Sequence, residues 1–234
     1  MPWCRDSLER GLSMNLLHQD APTWLALVGW LALVPAVGLA LWSVRHSFIP
    51  RGSAEHAWLG GAVAMSMLWR LQVDVGGAPA FGMIGAALYA LMFGCARGLL
   101  GLLLALVLHV ALNGGSWLNL GLNGVLLAAL PSALVTLLRQ QIDRRLPANP
   151  FVFMIGNGLF ATLLATAVTH AAILGADLLA QPYRGAVSLG DYVAATLLMA
   201  WSEALVSGML LSALVVFLPQ VVLTFRAERY ARRS

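Results

Sequence analysis

Two residues stand where an apolar chain should not tolerate charge. Glu203 follows Ala200-Trp201-Ser202 deep inside a long hydrophobic run, and Arg70 follows Met67-Leu68-Trp69 near the end of another. An ionisable group held in hydrocarbon costs about 3 kcal/mol on insertion scales, so each should face a partner, a cavity or an interface. An Arg70–Glu203 ion pair would neutralise both; a role in substrate binding or coupling is the alternative. His109 and His170 also lie within apolar runs, and His18 lies just before the first of them. Imidazole is a good ligand for Ni, Co, Cu or Zn and carries protons near neutral pH. A lone helical histidine equally well satisfies a neighbouring carbonyl or hydroxyl. His46 and His56 flank a charged connection and read as solvated. Asn113, Asn119 and Asn123 crowd around Asn113-Gly114-Gly115-Ser116-Trp117, where side-chain amides could line a substrate cavity. Asn and Gly are also the residues a tight turn uses. Asn157 is a separate feature.

Catalytic patterns are missing. The chain has no His-Glu-x-x-His, no Gly-x-Ser-x-Gly elbow and no Gly-x-x-x-x-Gly-Lys phosphate loop, and it contains no Lys at all. Ser202-Glu203 and Ser207-Gly208 place a hydroxyl near a carboxylate without an activating base. Two cysteines, Cys4 and Cys95, are too few for a metal finger or a disulfide framework. The reading is therefore not an enzyme, with no permanently bound cofactor. Any energy from ATP must come through another subunit.

The elements that must position these groups follow from composition. Of 234 residues, 60% are hydrophobic and 10% charged, far below the charge of a soluble domain. The net charge of +4 is no nucleic-acid signal, because the 14 basic residues are all Arg and most sit between apolar runs. A bilayer core of about 30 Å needs roughly 20 apolar helical residues. The runs predict seven spans, at Pro22–Trp42, Ala57–Val73, Pro79–Gly94, Gly98–Leu112, Leu118–Leu138, Pro150–Leu179 and Asp191–Phe225. The third and fourth are short and separated by Cys95-Ala96-Arg97. The last two are long enough to include an interfacial turn, with a break at Pro219. The runs lack the alternation of a barrel strand. The fold expected is thus an all-α, polytopic transmembrane bundle.

Charge placement orients it. Connections holding Arg45 and Arg51, then Arg97, then Arg139, Arg144 and Arg145, alternate with neutral or acidic ones, and the tail carries Arg226, Arg229, Arg232 and Arg233. The positive-inside rule then places the N-terminus outside and the C-terminus in the cytoplasm. On that frame residues 1–20 are an extracytoplasmic segment, 21–225 the membrane domain and 226–234 a basic cytoplasmic tail. Residues 1–20 have acids and no apolar core, so they are not a signal peptide, and Met14 is an alternative start. Gly60, Gly61 and Ala64, and the Ala32, Ala36, Ala40 spacing, offer small-residue faces for helix packing or a partner.

Three ordered stretches carry a resemblance. They are Val75-Gly76-Gly77-Ala78-Pro79-Ala80-Phe81-Gly82-Met83-Ile84-Gly85; Gly114-Gly115 through Leu120-Gly121-Leu122-Asn123-Gly124; and Ser202-Glu203-Ala204-Leu205-Val206-Ser207-Gly208-Met209. Their order and spacing resemble the CbiM/NikM-type membrane subunit of energy-coupling-factor cobalt and nickel transporters, across about residues 14–225. The resemblance implies a substrate-capturing subunit in a bacterial cytoplasmic membrane, working with a transmembrane coupling protein and ATPase subunits, with Co or Ni as the transported substrate. In that family a Met-His pair at the N-terminus and a His after the Gly-Gly loop hold the metal. Here Asn15 follows Met14, and Gly82 stands about where the loop His should be. The candidate donors that remain are His18 and His109, with the amides of Asn15, Asn113, Asn119 and Asn123. The alternatives are a carrier of another substrate, or an assembly protein that kept the scaffold and lost transport.

Overall fold

The computed structural model describes residues 21–45, 52–72, 82–113, 116–147, 149–180, 182–183 and 187–225. Asn15, His18, His46, the Val75–Phe81 stretch, Gly114-Gly115 and the Arg-rich tail lie outside them. The described residues form seven helices and no strand: α1 Thr23–Val44, α2 Ser53–Leu68, α3 Ala86–Phe93, α4 Cys95–Asn113, α5 Leu120–Arg145, α6 Val152–Ala180 and α7 Leu189–Phe217. The first stretches of α5 and α6 include π-helical turns, at Val125–Ala129 and Val152–Ala161.

Five of the seven, α1, α4, α5, α6 and α7, are long and apolar enough to cross a bilayer. The other two fall short of the spans expected. With 16 residues α2 reaches about 24 Å, and with 8 residues α3 reaches about 12 Å at 1.5 Å per residue. The third expected span is cut short because residues 82–85 run as non-helical backbone into the protein, where Gly85 takes a left-handed φ of 69°. Nor does Cys95-Ala96-Arg97 form a connection: Gly94, with φ 84°, makes the whole corner and α4 starts at Cys95. Asp177 lies buried in α6. The break at Pro219 is present, as a single tight turn over Pro219–Val221 after Leu218. The interfacial turn expected in Pro150–Leu179 is not, since α6 runs unbroken through 29 residues.

Small residues bring the helix backbones together. A Cβ on Gly29 of α1 would stand 2.4 Å from the Leu122 nitrogen of α5, and one on Gly121 would stand 2.6 Å from the Trp30 ring. Trp30 then donates from Nε1 to the Leu118 carbonyl at 3.1 Å. In lipid the tails are as apolar as the helices, so such close packing and hydrogen bonds between segments must hold the bundle. The small-residue faces read from sequence divide: Gly61 packs on Tyr89, whereas Gly60 has open space beside it and Ala32 is exposed.

Two apolar cores result, and α3 belongs to both. Its Ala86, Tyr89 and Phe93 join α1, α2, α4 and α5, while Ala87, Leu88, Ala90 and Leu91 join α5, α6, α7 and the segment after it. Outside these cores the surface stays apolar, with Leu31 74% and Leu39 68% exposed on α1. A surface of that kind belongs in lipid rather than water. This is a multi-pass membrane protein.

Gly29→Ala should lower thermal stability in detergent by about 1–3 kcal/mol through overpacking. A Cβ on Gly38, nine residues along the same helix, would meet nothing within 4 Å, and Gly38→Ala should be neutral or slightly stabilising. Equal melting temperatures for the two variants would rule out the α1–α5 contact.

Candidate functional site

Non-helical backbone at membrane depth survives only where protein satisfies its polar groups. The strap 82–85 meets that condition through one side chain. Glu203, 0% exposed on α7, accepts from the Ile84 N–H at Oε2 (2.7 Å) and from the Gly85 N–H at Oε1 (2.8 Å). Thr166 of α6 donates its hydroxyl to Oε1 at 3.3 Å. Three donors and no acceptor suit a carboxylate rather than a carboxylic acid. The other edge of the same peptide is also held, since buried Trp69 donates from Nε1 to the Ile84 carbonyl at 2.8 Å. Gly85 needs its glycine twice over: for its positive φ, and because a Cβ would stand 2.7 Å from Met65 Sδ.

The two membrane imidazoles flank this strap. His109 of α4, 3% exposed, donates from Nδ1 to the Ser66 carbonyl at 2.9 Å and meets Trp69 edge-on, with ring centroids 6.5 Å apart. His170 of α6, 6% exposed, donates from Nδ1 to the Thr166 carbonyl at 3.0 Å, and its ring lies against the backbone of Gly82. A carbonyl can only accept, so both rings carry the proton on Nδ1 when neutral. The Gly82 backbone is a second hydrogen-bond partner of the His170 ring.

Arg70 does not join Glu203. No ion pair links them among the described residues, because strap and threonine donors already fill the carboxylate, and Arg70 is exposed just past the end of α2. Trp69 turns inward at that point, and the next residue must turn away. The guanidinium is near enough to His109 for its charge to act there. The amides also separate. Asn113 donates from Nδ2 to the His109 carbonyl at 2.8 Å, closing the end of its own helix, and Asn119 and Asn123 are buried at the start of α5. Asn157 is fully buried near the other end of α6, with neither amide atom partnered among the described residues. His56 is exposed. No cluster of three or more His, Cys, Asp or Glu among the described residues could hold a metal.

Sequence reasoning missed Thr166, Trp69 and the strap's backbone donors. Thr166 had a signal, because Thr162, Thr166, Thr169 and His170 share one helical face of an otherwise apolar run. The backbone N–H groups had none.

Residues 21–221 match the family described as CbiM, cobalt uptake substrate-specific transmembrane region. The chain belongs to that family. Two solved structures share its fold. A transition metal transporter matches at TM-score 0.66 and 21% identity, covering 95% of this chain and 99% of that one. A truncated transition metal transporter matches at TM-score 0.65 and 22% identity, covering 88% and 98%. No curated protein matches the sequence. This CbiM-family chain is therefore a membrane component of metal transport, as its three ordered stretches implied, and its family and structural neighbours are transporters rather than enzymes.

Glu203→Gln should be destabilising, since an amide turns one of its two acceptor positions into a donor facing the strap. The expected loss is about 1.5–3 kcal/mol, as for a hydrogen bond to a charged group, with faster hydrogen exchange at Ile84 and Gly85. Arg70→Ala should change neither. If Arg70→Ala were as damaging as Glu203→Gln, an ion pair would have to replace the strap clamp.

Proposed function

We propose that this protein is the substrate-binding membrane subunit of an energy-coupling-factor type transporter for transition-metal ions, cobalt or nickel, in a bacterial cytoplasmic membrane. The observation that carries the reading is the family match along residues 21–221. Membership fits a chain without a phosphate loop of its own, which needs a transmembrane coupling subunit and ATPase subunits for its energy. The N-terminus lies outside and the C-terminus in the cytoplasm, as the distribution of arginines favours. Substrate enters from outside. Its donors come from the segment ahead of α1, with His18 and Asn15, and from the outer ends of the helices, with His109 and the amides of Asn113, Asn119 and Asn123. Imidazole suits these ions better than an amide oxygen does, so His18 and His109 rank ahead of the asparagines.

One observation favours a second reading. Asn15 and Gly82 stand where the resemblance calls for histidines, which leaves room for a different cargo or for an assembly protein on the same scaffold.

The deciding measurement is thermal stability of the purified chain in detergent, titrated with Ni, Co, Zn and Cu. A ligand bound to the folded state alone adds about 2.7 kcal/mol at a hundred times its dissociation constant. A rise with Ni or Co is the expected result, together with co-purification of coupling and ATPase subunits. A flat response to all four ions would transfer the reading to the second hypothesis.

A further inference from the structure

The start of α6 carries a polar group that its packing leaves unserved. Asn157 is 0% exposed, and neither its amide nitrogen nor its amide oxygen has a partner among the described residues. Phe153 and Ala161, four residues to either side, belong to an apolar core with Val135 and Leu211. An unpaired buried amide is costly, so this arrangement stands against a penalty. The backbone around it is unusual as well. Val152–Ala161 is π-helical over ten residues, whereas such helix mostly occurs as a single turn and often at functional sites. The main-chain oxygen of Asn157 is served at the π spacing, by the Thr162 hydroxyl five residues on, at 3.3 Å. Only the side chain is left out.

The same helix reaches the strap. Beyond the π stretch, Thr166 donates to Glu203 and the His170 ring is bonded to the Gly82 backbone. Beside Asn157, Gly158 crosses α7 at Gly208, where a Cβ on Gly158 would stand 3.1 Å from the Gly208 Cα. The two backbones meet there without a side chain from either glycine to interlock them. An α-helix turns more per residue than a π-helix, so rewinding ten residues rotates everything beyond them. We infer that α6 is a two-state element: Val152–Ala161 rewinds from π to α, the rotation carries Asn157 out of its apolar setting, and Thr166 and His170 pass it to the Gly82–Gly85 strap. The contacts with the strap hold the first state, and the amide penalty lowers the cost of leaving it. This device belongs to the scaffold and holds whatever the cargo.

Native-state hydrogen exchange of the full chain in detergent tests this. In the unmodified chain the amides of 152–161 and those of Ile84 and Gly85 should open together, with one temperature dependence. Asn157→Leu removes the unpaired amide at similar size. It should slow exchange in both regions about tenfold, as relief of an unpaired buried amide in the first state implies, with a melting temperature equal to or above that of the unmodified chain. Gly208→Ala is the second variant. Its added Cβ would stand 3.5 Å from the Gly158 carbonyl carbon, an ordinary contact that fills the crossing, and it should slow the same two regions. Independent opening of the strap and 152–161 would overturn the link between them. Unchanged exchange in both variants would overturn the two-state segment, and so would a lower melting temperature in Asn157→Leu, which would mean that the amide is already satisfied.

Discussion

A buried carboxylate holding two consecutive backbone N–H groups is the constraint from which the architecture follows. Peptide groups 84 and 85 lie too deep for water to serve them, and an unpaired buried polar group is costly. Glu203 resolves this by accepting from both, and Trp69 takes the carbonyl on the other edge. With the strap so fixed, α3 can begin inside the bundle and still need only eight residues before Gly94 turns the chain back. The far end of α3 is held by the same C-terminal region. Leu223 donates its N–H to the Met92 carbonyl at 2.7 Å, and the Thr224 hydroxyl donates to the Leu91 carbonyl. The last helix and the residues after it thus pin both ends of the half-helix, and the half-helix in turn fills both cores.

Much of this arrangement could be read from the chain. Seven apolar segments, the break at Pro219 and an interior Glu203 all follow from composition and spacing, because lipid selects against charge strongly enough to leave a plain trace. The half-helix could not be read that way. Pro79–Gly94 is apolar throughout, and apolar content does not distinguish a helix from a strap whose peptide groups are satisfied by a carboxylate more than a hundred residues away. The Arg70–Glu203 pairing failed for the same reason. Charge balance favours joining the two ionisable side chains in hydrocarbon, but backbone donors are present at every residue, and a rigid pair of them competes well with a guanidinium that can reach the surface instead.

At the candidate site, residue types were legible and their ranking was not. His109 and His170 carry equal weight in sequence, each a lone imidazole in an apolar helix. Their difference lies in neighbours from other helices: a cation near one, and an anion one residue removed from the other. The asparagines show the opposite case. Asn113 binds the carbonyl of its own fourth neighbour, a local contact at the end of α4.

The strap also explains how position 82 can be glycine without losing the fold. Nothing that fixes residues 84 and 85 depends on the side chain at 82, since the bonds run from main-chain atoms to Glu203 and Trp69. His170 stands against Gly82, with its Nδ1 held by the Thr166 carbonyl and the Gly82 backbone as a second hydrogen-bond partner of its ring. The clamp on the strap is thus made by main-chain atoms and two side chains from elsewhere in the chain, and position 82 takes no part in it.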